Sequence, residues 1–346
     1  MSTRSRVVIG LDNGGTKTNA TVLEVGGGFL IDRMAQVPSR VLEGPEAAIE
    51  AMADAMDQAL GLTDTRRAQV LAVGLDTPGP ASADGIISIR GATNFQQRAW
   101  WGFDVRSALE ARIGLPVIYN NDGNAAALYA HHVHFGTDAS VASSVSAIVG
   151  TGLGGGVIEA GAVIRGAAGM AGELGHVLIR VESILADGQP MPVCACGQPG
   201  DVESIASLAG ILRNLLPYWL GRYPSHPLAA LPMPDAAKEV RSYGVQGDEM
   251  ALKLFEQQAA ALGALFTVAA NFTDPTAYFV GGGVVDSAPH FRDWFLERVR
   301  AHTILREEQA AIAQFALVPD LDMAGARGSA FAALDSLQQP PRGGSG

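Results

Sequence analysis

Short apolar runs broken by glycine set the pattern of this chain. Val7-Val8-Ile9-Gly10-Leu11 and Asn19-Ala20-Thr21-Val22-Leu23 bracket the polar stretch Asp12-Asn13-Gly14-Gly15-Thr16-Lys17. Far downstream, Val145-Ser146-Ala147-Ile148-Val149 and Val157-Ile158 bracket Gly150-Thr151-Gly152-Leu153-Gly154-Gly155-Gly156. Period and β-branched content predict a strand, a tight turn and a second strand at both places. Glycine accepts the positive φ such turns are expected to need, and a backbone without side chains lets its N–H groups close around a phosphate. One such turn is a common hairpin. Two in the same local context, one per half of the chain, predict a duplicated phosphate clamp with a nucleotide between the halves, and hence a phosphotransferase.

Elsewhere the apolar period is mostly helical. Helices are predicted over Glu46–Leu60, about Val105–Ile113 and Ala125–Phe135, with buried strands at Val70–Leu75 and Pro116–Tyr119. Thr77-Pro78-Gly79-Pro80 breaks the first of these strands into a loop, and Asn120-Asn121-Asp122-Gly123-Asn124 ends the second. In the second half, helical patterns over about Gly247–Asn271 and Ala288–Ala301 flank a strand, Thr276–Val280, closed by Gly281-Gly282-Gly283. An alanine-rich helix is predicted over Gly325–Leu334. Residues 338–346 read as a disordered tail ending in a linker-like Gly-Gly-Ser-Gly. Strand and helix alternate as in an α/β protein.

Composition narrows the class. At 346 residues the chain exceeds what one hydrophobic core usually serves, so two domains are expected. Hydrophobic residues make up 48% and charged ones 17%, which suits buried sheets and argues against disorder. A net charge of -11, with no Lys/Arg cluster to offset it, speaks against nucleic acid and anionic membranes as partners. Lysines number three, and Lys17 sits inside the first glycine turn. No run approaches the ~20 apolar residues of a membrane span. The start, Met-Ser-Thr-Arg-Ser-Arg, leads into a strand, so no signal peptide is expected. The cysteines, Cys194 and Cys196, lie too close for a structural disulfide and suit a reducing cytoplasm.

The candidate chemistry lies at the breaks. Asn121-Asp122 falls between a strand and a helix, where an Asp commonly serves as N-cap. In the company of two glycine clamps it acquires another use. A sugar kinase needs one carboxylate within hydrogen-bond reach of the attacking hydroxyl, and Asp122 is the candidate. Ala171-Gly172-Glu173-Leu174-Gly175-His176 sets an acid and an imidazole three residues apart; alone, it reads as a turn with a solvated Glu and a structural His. Cys194-Ala195-Cys196-Gly197 together with His176 supplies three metal ligands, a modest zinc signal. Glu203 opens a helix, where the dipole favours a carboxylate.

Together these motifs resemble the ROK family of sugar kinases, within the actin/hexokinase-like ATPase superfamily, along nearly the whole chain. Asp12-Asn13-Gly14-Gly15-Thr16-Lys17 is similar to the family's phosphate-1 motif and Gly150–Gly156 to its phosphate-2 motif. Gly281-Gly282-Gly283 is similar to its adenosine motif. The Asn-Asp pair before an alanine-rich helix and the Ala-Gly-Glu-x-Gly-His run are family signatures. The resemblance implies a two-lobed α/β actin-like (ribonuclease H-like) fold with a central cleft. The lobes would be residues 1–122 plus 324–337, and 123–323 with a zinc loop at 176–203. It implies Asp122 as catalytic base, with Gly79, Asn94, Asn121, Asp122, Glu173, His176 and Glu203 holding the sugar hydroxyls. Asp12 would hold the water shell of Mg²⁺, and Gly14, Gly15, Thr16, Lys17, Gly150, Thr151, Gly152, Gly154, Gly281, Gly282 and Gly283 would face ATP.

Two residues depart from the family pattern. Its metal motif, Cys-x-Cys-Gly-x-x-Gly-Cys-x-Glu, has Asp201 in place of the third cysteine. His176, Cys194, Cys196 and Asp201 still supply four ligands, with lower affinity expected for zinc. Asn13 replaces an aliphatic residue or glycine and bears on nothing catalytic. The expected activity is ATP- and Mg²⁺-dependent phosphorylation of a hexose 6-hydroxyl, glucose first, by a cytoplasmic homodimer or homotetramer. N-acetylglucosamine, N-acetylmannosamine, mannose or fructose as substrate, and polyphosphate as donor, stay open. The rivals are a ROK-like transcriptional repressor, disfavoured by the six residues before the first strand and by the acidic charge, and a non-catalytic sugar-binding protein.

Overall fold

The computed structural model describes residues 5–79, 81–88, 95–283, 287–318 and 320–338, with the backbone alone at Leu321. The chain divides into two compact units, residues 1–137 with 163–171 and 320–346, and residues 138–162 with 172–319.

The first unit carries β1 (Val7–Asn13), β2 (Lys17–Glu24), β3 (Ala35–Pro38), α1 (Pro45–Leu62), β4 (Val70–Thr77), α2 (Val105–Ile113), β5 (Val117–Asn121) and α3 (Asp122–Phe135). Its sheet runs in the order β3-β2-β1-β4-β5. β1 is antiparallel to β2 and parallel to β4, and β4 is parallel to β5. Because side chains alternate along a strand, Val7, Ile9 and Leu11 join Met52 and Met56 of α1 and Trp100 in one buried layer. Each of these large side chains contributes roughly 1.5–3 kcal/mol by leaving water. Val8 and Ala72 point the other way, onto Ala330 and Ala333.

The second unit carries β6 (Ser144–Val149), β7 (Leu153–Glu159), β8 (Ala162–Val163), α4 (Glu203–Ala206), α5 (Leu208–Gly210), α6 (Leu216–Arg222), α7 (Met233–Val245), α8 (Glu249–Thr273), β9 (Ala277–Gly282), α9 (Pro289–His302), α10 (Glu307–Ile312) and β10 (Gln314–Leu317). α11 (Leu321–Gln338) returns the chain to the first unit. The second sheet, β10-β9-β6-β7-β8, repeats the topology of the first: a hairpin, then parallel strands added on the side of its first strand.

The helices foreseen from apolar period are present with ends within about four residues. α3 starts at Asp122, three residues before the expected Ala125, and belongs to the first unit. The unit boundary therefore falls after Thr137 and not at 122. The cause is a close fit between α3 and α11: a Cβ added at Gly328 would lie 1.8 Å from the Ala125 carbonyl oxygen. The same closeness holds beneath α11, where a Cβ at Gly10 or Gly74 would lie 1.8 Å from a backbone oxygen of that helix. α11 extends through Gln338, the first residue assigned to a disordered tail; the rest of that tail lies outside the described residues. Among the described residues no helix is long and apolar enough to cross a membrane.

Candidate functional site

In the first unit, β1 delivers Asp12 to the start of the glycine turn and β2 leaves it at Lys17. The turn is closed by the Gly14 N–H donating to the Lys17 carbonyl at 2.9 Å and by the Thr18 hydroxyl donating to Asn13 Oδ1 at 2.9 Å. Thr16 and Lys17 are exposed, and Gly14 and Gly15 half-buried. Neither glycine has positive φ, nor does any glycine from 150 to 156, so that expectation is corrected. At Gly155 what excludes a larger residue is contact with a neighbouring atom, since a Cβ there would lie 2.0 Å from the Ser146 carbonyl oxygen, whereas at Gly14 and Gly150 nothing comes nearer than 3.3 Å and 3.9 Å.

Asp12 faces Asp76 across the parallel pair β1–β4, where the two are register partners. Asp76 is fully buried, and its Oδ2 accepts from the Ser329 hydroxyl at 2.8 Å. Asp12 Oδ2 accepts from the Asn19 amide at 2.9 Å. Burial raises the pKa of Asp12, partly offset by Asn19. Burial raises that of Asp76 well above the ordinary carboxylate range, and the Asp12 charge adds to it. The Asp122 charge also reaches Asp76 and pushes its pKa the same way.

Asn121, not Asp122, caps α3: its Oδ1 accepts from the Asn124 N–H at 2.8 Å. Asp122 thus stands in the first helical turn, exposed, with Oδ1 accepting from the Gly123 N–H at 2.8 Å. Gly79, half-buried, follows the end of β4. Asn94 lies outside the described residues. Beside Asn121, the side chains of Asn120 and Asn124 border a small hollow with Ser82, Tyr119 and Arg165. Both polar side-chain atoms of Asn120, and Asn124 Oδ1, are buried with no hydrogen-bond partner among the described residues.

In the second unit the turn Gly150–Gly152 joins β6 and β7, with the Gly150 N–H donating to the Gly152 carbonyl at 2.9 Å. Glu203 reaches this turn. Its Oε2 accepts from the Leu153 N–H at 2.9 Å, and a Cβ at Gly152 would lie 2.6 Å from that oxygen. Its Oε1 takes the Cys194 thiol at 3.2 Å. Glu173 and His176 are exposed. Gly281 and Gly282 end β9, and Gly283 follows. Gly282 adopts φ 103°, and a Cβ there would lie 1.8 Å from the Val149 carbonyl oxygen. Here the third glycine run does need glycine's conformational freedom.

His176, Cys194, Cys196 and Asp201 offer ligand atoms all within 4.8 Å of one another. His176 Nδ1 lies 3.2 Å from Asp201 Oδ2, 3.8 Å from Cys196 Sγ and 4.0 Å from Cys194 Sγ. Tetrahedral zinc with N, O and S ligands sets edges of roughly 3.3–3.8 Å, so the donor types and the shorter spacings suit the ion, and the 4.0 Å from His176 Nδ1 to Cys194 Sγ would have to close slightly around it. Asp201 Oδ1 meanwhile accepts from the Ser204 N–H at 2.8 Å, which ties the loop to α4. The two carboxylate oxygens let Asp201 face the cluster with one and the α4 backbone with the other.

The ROK family model matches residues 8–336. This chain belongs to the ROK family. It is 30% identical over 309 residues to a glucokinase from Halalkalibacterium halodurans, covering 86% of this chain and 85% of that protein. It is also 30% identical over 329 residues to an N-acetyl-D-glucosamine kinase from Escherichia coli, covering 93% and 97%. The solved ROK hexokinase from Thermus thermophilus superposes with a TM-score of 0.74 at 31% identity, covering 96% of this chain and 99% of that one. A ROK family glucokinase from Streptomyces griseus, solved with glucose and AMPPNP, gives 0.67 at 27% identity, covering 95% and 99%. The fold of this ROK protein is accordingly the two-sheet α/β fold of actin-like ATPases.

Asp76, Asn120 and Arg165 escaped the sequence reading. For Asp76 a signal exists: an acid in register with a run as apolar as Val70–Leu75 is rarely buried without a partner. The predicted strand stopped one residue short of it.

Proposed function

We propose that this ROK protein is an ATP-dependent sugar kinase that phosphorylates a hexose 6-hydroxyl, with glucose preferred. The observation that carries the reading is Asp122. Asn121 does the capping, so the Asp122 carboxylate stands in the first turn of α3, on the unit whose glycine turn begins at Asp12. In this reading Asp122 accepts the proton of the attacking hydroxyl, and Asn121, Gly79, Glu173, His176 and Glu203 hold the other hydroxyls. Each polar group of a closed site rejects a sugar that leaves it unpaired. Asp12, a half-exposed carboxylate, suits a hard cation such as Mg²⁺, which would neutralise charge on the transferring phosphoryl group. His176, Cys194, Cys196 and Asp201 would hold zinc, with Nδ1 of His176 on the ion and Nε2 left for the sugar.

N-acetylglucosamine is the second reading, supported by the 30% identity to such a kinase over 97% of its length. A coupled assay over glucose, mannose, fructose and the N-acetylhexosamines, each with ATP and with polyphosphate, tests the proposal. ATP-dependent turnover highest with glucose is expected. A tenfold higher kcat/KM for N-acetylglucosamine would move the assignment to the second reading, and turnover of none would remove the kinase reading.

A further inference from the structure

We infer that Asp76 is a second carboxylate of a divalent-cation site whose first carboxylate is Asp12. The inference deepens the kinase reading above and rests on it for the identity of the ion as Mg²⁺. Three observations carry it.

The first is placement. Asp12 and Asp76 are register partners on adjacent parallel strands. Such neighbours point to the same face about 4.8 Å apart, and the two carboxyl groups meet there. The second is an orphaned atom. Asp76 is fully buried, its Oδ2 takes the Ser329 hydroxyl at 2.8 Å, and its Oδ1 has no donor among the described residues. Oδ1 and the Asp12 carboxylate are two sets of acceptors facing each other with nothing positive between them. Among the described residues no arginine, lysine or histidine pairs with either acid. A buried carboxylate oxygen without a donor is costly, and a small hard cation satisfies both groups at once. The third is orientation from outside. Ser329 on α11 fixes Oδ2, and Asn19 fixes Asp12 Oδ2 at 2.9 Å, so each acid presents its other oxygen. α11 comes close enough to do this because position 74 of β4 is glycine.

Oxygen-ligand sites tighten with the number of charged ligands, so the second carboxylate should raise cation affinity beyond what Asp12 supplies alone. A proton shared by the pair is the competing occupant, and the experiment separates the two. Mn²⁺, which takes the same oxygen ligands, is titrated into the full chain without nucleotide, and free Mn²⁺ is read by electron paramagnetic resonance. Wild type is expected to bind one Mn²⁺ that Asp12→Asn abolishes. Asp76→Asn, which keeps size and the Ser329 hydrogen bond, should weaken that binding at least tenfold while melting no lower in chelator. Asp76→Ser, a second route to removing the charge, should do the same if the amide variant fails to fold. Absence of Mn²⁺ binding by wild type, or a loss under tenfold in the folded variants, overturns the site. Sugar phosphorylation is scored separately. Mn²⁺ held through Asp76 by a chain that phosphorylates no sugar keeps the site and removes the kinase reading; an active kinase whose Mn²⁺ affinity ignores Asp76 does the reverse.

Discussion

Asp122→Asn should separate the proposed chemistry from architecture, because Asn121 and not Asp122 caps α3. Asn121 Oδ1 caps α3, and Asp122 Oδ1 accepts from the Gly123 N–H at 2.8 Å, a bond that an Asn side-chain oxygen can also accept. The stability change should then be the loss of one negative charge in the first helical turn, about 0.3–1 kcal/mol. Catalysis should fall much further. A positioned general base contributes about 10²–10⁴-fold, which is roughly 2.7–5.5 kcal/mol of transition-state stabilisation. The loss should appear in kcat, with the sugar Kd by calorimetry changed less than about tenfold. Asn121→Ala makes the contrast: removing the cap should cost about 1 kcal/mol of stability in urea titration. Retention by Asp122→Asn of more than about a tenth of wild-type kcat would refute the assignment of the base.

Elemental analysis of protein purified without chelator should find one zinc per chain, and chelation should lower the melting temperature by loosening the loop around Cys194 and Asp201. Zinc absent from wild type but present in Asp201→Cys would mean that Asp201 does not serve as a ligand. Gly74→Ala should destabilise by about 1–3 kcal/mol or more in urea, because its Cβ would lie 1.8 Å from the Ser329 carbonyl oxygen and α11 must shift; a change under about 0.5 kcal/mol would show that α11 yields freely. Asp76 has a folded-state pKa above its unfolded value near 3.9. In chelator its contribution to stability is therefore fully present below about pH 3.9 and lost as pH rises through the folded value. Asp76→Asn should flatten that decline, and an unchanged pH–stability slope would contradict the raised value.

The places that carry the candidate residues were legible in sequence because they are short, local signals. The hairpin at Asp12–Lys17, the Asn121-Asp122 junction and the glycines at the end of β9 each announce themselves by a break in apolar period. What escaped depends on partners distant in sequence. An acid at the end of an apolar run draws notice to Asp76, but its partners appear only once β4 is laid beside β1 and Ser329 arrives from 253 residues away. The role of Gly152 is likewise invisible until Glu203 is seen 2.6 Å from where its Cβ would be. The expected positive φ is absent from both glycine turns. At Gly155 glycine answers instead to the approach of Ser146 across its own hairpin. The short strands β3 and β10, four residues each, carry too few alternations to register.

The repeated topology explains why the chemistry collects where it does. In the first sheet β1, β4 and β5 are parallel, so their carboxyl ends share one edge. At that edge the chain must leave each strand, and there it places the glycine turn after Asp12, the Pro78-Gly79 loop after Thr77, and the Asn121-Asp122 start of α3. Thr77 and Asn121 are themselves register partners. In the second sheet β6 and β9 are parallel, and Val149 pairs with Gly282. The Gly150–Gly152 turn and the third glycine run therefore emerge side by side by the same rule. Ligands of open α/β sheets bind outside the carboxyl ends of parallel strands, because loops and helix starts there offer unpaired N–H groups that strand interiors lack. Asp76 is the exception that defines the edge. It lies one residue inside it, level with Asp12, where strand pairing has used the backbone groups and only side-chain oxygens remain to meet a cation.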